Sequence, residues 1–70
     1  MMRLQGLSVR IDAMRRRHRE IDSSVAAEQR RPYPDTALLQ ALKRRRLRLK
    51  DALLRYEGVL RTVARGQAAA

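Results

Sequence analysis

Two apolar stripes of helical period, separated by one proline-rich break, constrain this chain more than any other feature. In the first half Leu4, Leu7, Ile11, Met14, Ile21 and Val25 recur at steps of three and four, with His18 filling the gap. In the second half Leu39, Leu42, Leu49, Leu53, Tyr56, Leu60 and Val63 do the same, with Arg46 in the gap. Positions so spaced lie along one face of an α-helix, and neither half shows the alternation of a strand. Between the stripes stands Arg31-Pro32-Tyr33-Pro34-Asp35. Each proline drives the residue before it out of the helical region, so a first helix must end there. Asp35 suits an N-cap, since its carboxylate can accept from free amides of the next helix and its charge opposes the helix dipole. Gly66 is a natural stop, with a tail expected to fray beyond it.

These signals predict an all-α chain, a single domain over residues 1–70. Helix one is expected at about 3–30, a hinge at 31–35, helix two at about 36–65 and a frayed tail at 66–70. A hinge this short makes the helices antiparallel neighbours, with residue i roughly level with 65 − i. His18 and Arg46 then share a layer. Asp22, one turn after His18, flanks the seam and is placed to pair with Arg46 or Lys43, so that His18, Asp22 and Arg46 form a structural polar layer.

Leu47 and Leu54 fall about 130° from the centre of the seam on helix two. One hairpin cannot bury both faces, and a chain this short buries little surface alone. Dimerisation into a four-helix arrangement is therefore expected, with Leu47 and Leu54 in the contact.

Two segments carry a family resemblance. His18-x-x-Ile21-Asp22-x-x-Val25 in helix one is the first. Asp35, followed by Leu39-x-x-Leu42-Lys43-Arg44-x-Arg46-Leu47-x-Leu49-Lys50-Asp51-x-Leu53 and then Tyr56 and Glu57, is the second and more specific. Together they resemble the YdcH-like family of small bacterial proteins, a domain of unknown function, over about residues 10 to 60. Ile21 and Val25 stand where leucine and isoleucine are usual, Arg46 where lysine is common, and the loop is richer in proline than the pattern. The resemblance implies a helical hairpin in a bacterial cytoplasm. It implies no established activity.

Charge is the strongest functional signal. Seventeen Lys and Arg against seven Asp and Glu leave a formal charge of +10. In the hairpin, Arg15, Arg16, Arg17 and Arg19 come level with Arg46, Arg48 and Lys50, and Lys43, Arg44 and Arg45 follow. Arg15, Arg16, Arg19, Lys43, Arg44, Arg45, Arg48 and Lys50 are thus candidate polyanion-binding residues, forming a belt around the middle. Arginine suits bidentate phosphate contact. Neither helix-turn-helix spacing nor an Asn/Gln-rich recognition helix is present, so contact with DNA or RNA would be to backbone and without sequence specificity. The alternative is a helical adaptor or assembly module that engages an acidic protein partner. Anionic membrane surfaces fit less well, because the cations encircle the hairpin instead of opposing one apolar face.

Other function classes find little support. Cysteine is absent, so disulfides, thiolate zinc sites and nucleophilic thiols are excluded. No glycine-rich phosphate loop, HExxH or nucleophile elbow occurs, and Ser8, Ser23 and Ser24 have no plausible triad. No catalytic residue, metal site or cofactor is expected. No window approaches a membrane span. The arginine-rich start mimics a mitochondrial presequence, but its pattern continues into the body of the chain, so a soluble cytoplasmic protein is the expectation.

Overall fold

The computed structural model describes residues 4–69, and side-chain surroundings from Gly6 to Gly66. Arg3, the expected first residue of helix one, and Ala70 lie outside the described residues, as does the side chain of Leu4 on the seam. Helix α1 runs Leu4–Gln29 and helix α2 runs Thr36–Ala69. The two pack against each other as a hairpin, a rod of 57 × 18 × 15 Å. No strand occurs among the described residues.

The hinge is held by hydrogen bonds that the sequence only partly discloses. Helix α1 ends with Arg30 N donating to the Ala26 carbonyl at 3.2 Å and Arg31 N to the Glu28 carbonyl at 3.2 Å. At the other side, Leu38 N donates to Asp35 Oδ1 at 3.0 Å and Leu39 N to the Asp35 carbonyl at 3.0 Å, an N-cap with its first helical bond. Glu28 joins the two ends. Among the described residues it is the one buried charged side chain, and its Oε1 accepts from Asp35 N at 2.9 Å. Arg31 Nη1 donates to both carboxylate oxygens at 3.0 and 3.1 Å.

The Asp35 amide first, and the Arg31 guanidinium second, hold the Glu28 carboxyl below the ordinary glutamate range against the opposing effect of burial. A carboxyl depressed in the folded state stabilises above its unfolded pKa, and that stabilisation is lost as pH falls through the folded value. Acidification below about pH 4 should therefore lower the melting temperature more steeply in the wild type than in Glu28→Gln. Parallel acid limbs for the two proteins would remove Glu28 as the cause.

Packing is unequal between the helices. Leu7, Ile11, Ile21 and Val25 of α1 are buried, with Ile11 at 2% exposure. Met14 and His18 are half-buried between them. Leu39, Leu42, Leu49, Leu53, Tyr56 and Leu60 of α2 all reach only half-burial. Val63, expected on the seam, is 39% exposed. With 34 residues against 26, α2 is longer than the described part of α1 by about two turns.

Gly66 does not stop α2. Helix continues through it to Ala69, and no described glycine has positive φ. The frayed tail expected at 66–70 is helical as far as Ala69, with Ala70 outside the described residues. Glycine ends helices only when it turns left-handed, and here Gln67, Ala68 and Ala69 are helix formers that favour continuation.

Candidate functional site

Charged side chains on the two flanks of the hairpin meet different fates. On one flank the acids are engaged across the helix pair. Arg46 Nη1 donates to Asp22 Oδ1 at 3.1 Å, and His18 Nδ1 lies 3.3 Å from Asp22 Oδ2. Arg15 Nη2 donates to Glu57 Oε2 at 3.1 Å, and Arg15 Nη1 lies 3.6 Å from Asp12 Oδ1. Side chains on a helix lean toward its N-terminus, and in an antiparallel pair that direction runs toward later residues of the partner. The reach of Arg15 to Glu57 and of Arg46 to Asp22 follows from this lean. Glu57 accordingly pairs with Arg15 and not with Arg61, its favourable i,i+4 neighbour.

The polyanion candidates divide accordingly. Arg15 is committed to Glu57 and Asp12. Arg16 and Arg19 are exposed on the outer face of α1, around a shallow depression shared with Val9, Asp12 and Arg15. Lys43, Arg44 and Lys50 are exposed on α2, and none has an acid within salt-bridge distance among the described residues. Lys50 shares a depression with His18, Asp22, Arg46, Leu53 and Leu54. Leu47 and Leu54 are 59% and 58% exposed.

Arg45 and Arg48 lie on the other flank. With Arg17 they border a groove of about 720 Å³ between the helices. Ile21, Leu42, Leu49 and Ala52 line its floor. Glu20 and Ser24 complete the α1 edge, where the Ser24 hydroxyl donates to the Glu20 carbonyl at 3.1 Å. None of the three arginines has an acid partner among the described residues. The belt is therefore uneven, and paired in part on the Asp22 flank. On the groove flank and the outer faces Glu20 and Asp12 lie nearby, but Arg16, Arg17, Arg19, Arg45 and Arg48 have no acid within salt-bridge distance among the described residues. Arg10 is placed differently again, its guanidinium 5.5 Å from the centroid of the Tyr56 ring, within cation–π range.

Chemically, this surface offers donors and positive charge. Among the described residues no three of His, Cys, Asp and Glu gather where they could hold a metal ion. No described helix is long and apolar enough to cross a membrane.

Comparison with known proteins agrees with the YdcH-like resemblance. A family model described as "Protein of unknown function (DUF465)", to which the YdcH-like family corresponds, matches residues 11–57. No curated protein and no solved structure matches the chain.

Proposed function

Given that the chain belongs to the DUF465 family of proteins of unknown function, we propose that it is a non-enzymatic helical hairpin that docks on a polyanion, the backbone of nucleic acid, in the bacterial cytoplasm. Family membership carries the fold, and the activity has to be argued from the surface. One observation bears the reading: Arg16, Arg19, Lys43, Arg44 and Lys50 are exposed and, among the described residues, without acid partners around the middle of the rod. Such a cluster releases condensed counterions when it meets phosphates. General acid–base chemistry needs groups converging in a shielded pocket, and the depressions here are open grooves on a thin rod.

The same reading includes self-association. Leu47 and Leu54 point away from the seam and stay exposed, which supports a dimer with a four-helix arrangement.

Salt titration against DNA and RNA tests the polyanion reading. Five cations on phosphates predict a slope of log affinity on log salt near about −4, so affinity should fall a few hundred-fold between about 50 and 200 mM salt. Replacing Lys43 and Arg44 by Ala should reduce the slope by about 2, equally for unrelated sequences. Failure of micromolar protein to shift either nucleic acid at low salt would overturn the proposal. An adaptor that binds an acidic protein is the second reading, and the apolar floor of the Arg17–Arg45–Arg48 groove favours it for that flank.

A further inference from the structure

We propose that the groove bordered by Arg17, Arg45 and Arg48 receives an acidic amphipathic helix from a partner protein, giving a three-helix bundle. The inference concerns a different flank from the exposed cations assigned to nucleic acid, and stands whether or not that assignment does. Three observations lead to it.

The first is the floor. Ile21 is buried, but Leu42, Leu49 and Ala52 are half-buried along a groove open to solvent. A phosphodiester backbone would leave that apolar strip wet. A helix carrying an apolar stripe at i, i+3 and i+7 would cover it, as in other helix-in-groove complexes. Two antiparallel helices present a straight channel suited to a third at a spacing of about 8–10 Å.

The second is the rim. Arginines border both edges, from α1 through Arg17 and from α2 through Arg45 and Arg48, and all three lack acid partners among the described residues. Among the described residues Glu20 is the sole acid lining the groove. Carboxylates flanking the apolar stripe of an incoming helix would meet a guanidinium on each side. Such complementarity selects the partner and speeds encounter.

The third argues against a second copy of this chain as the occupant of this groove, which lies on a different face from Leu47 and Leu54. Its acids are mostly committed: Asp12, Asp22, Glu28 and Glu57 to cations, and Asp35 to its cap. Among the described residues Glu20 and Asp51 remain without a cation partner, and α2 brings its own row of cations. A copy laid in the groove would set like charges together.

The probe is a synthetic peptide of about 20 residues, long enough to run along the groove, with leucines at i, i+3, i+7 and i+10 and glutamates on both flanks of that stripe. Binding to the full chain is followed by calorimetry, with circular dichroism confirming that each variant keeps its helicity. The peptide should bind, and a scrambled peptide of the same composition should bind at least about tenfold more weakly. Arg17→Glu with Arg45→Glu should weaken the peptide about tenfold or more. Ser24→Trp, at the exposed rim, should weaken it by obstruction without touching charge. Arg16→Ala with Arg44→Ala should leave it unchanged while lowering the salt slope for DNA. Equal binding of the scrambled peptide would reduce the groove to bare electrostatics and overturn the proposal. So would absence of peptide binding, or loss of duplex and RNA binding in Ser24→Trp alone.

Discussion

Ile11→Ala should lower the melting temperature by about 15 °C, read by circular dichroism at 222 nm, the helical band. Ile11 is the most enclosed large side chain, at 2% exposure, with Leu7 buried one turn before it. Truncating a buried isoleucine to alanine costs about 3 kcal/mol in transfer and cavity terms. A chain of this size is stabilised by only about 4–10 kcal/mol in total, so the variant would stand near the limit of folding. Leu38→Ala is the control, because Leu38 is exposed and its loss should move the melting temperature by no more than a few degrees. A shift below about 5 °C for Ile11→Ala would mean that stability does not reside in the seam between α1 and α2.

The residues behind that expectation were legible from period alone. Steps of three and four placed Leu7, Ile11, Ile21 and Val25 on one face, and all are buried. Pro32, Pro34 and Asp35 marked the turn by local chemistry, which needs no knowledge of the rest of the chain. Depth of burial was not legible. The stripe on α2 has the same period as that on α1, yet its leucines stop at half-burial, a difference that period alone does not encode.

Charge partners were legible only in part: the register placed Asp22 beside Arg46, and the two do pair at 3.1 Å, but the partners of Glu28 and Glu57 were not foreseen. Glu28 follows Val25 by three residues and so continues the seam of α1. In sequence it reads as the end of the apolar pattern. Only closure of the hinge brings the Asp35 amide to 2.9 Å from it and turns a break in the pattern into a clasp. Glu57 likewise has Arg61 at a favourable local spacing, and the choice of Arg15 is made by the lean of long side chains. The groove combines both blind spots. Its floor depends on packing depth, and its rim on which arginines the acids of the other flank leave unpaired.

Replacing Leu47 and Leu54 together by glutamate should convert the protein to monomers and abolish the concentration dependence of its melting temperature. The two leucines lie seven residues apart, two turns along one face of α2, so they form a single stripe. Exposures of 59% and 58% leave that stripe wet in the isolated hairpin. When folding and association are coupled, dilution favours the unfolded chain by mass action. A hundredfold dilution should then destabilise each wild-type chain by about 1.4 kcal/mol, a fall of about 5–10 °C. Glutamate at both positions would put carboxylates into the contact without an apolar partner, while leaving the seam residues untouched. The double variant should therefore melt at one temperature across the whole range and sediment as a monomer. Wild-type protein that sediments as a monomer at its highest concentration, with a melting temperature indifferent to dilution, would show that the hairpin is stable alone and that this stripe has no second copy to meet.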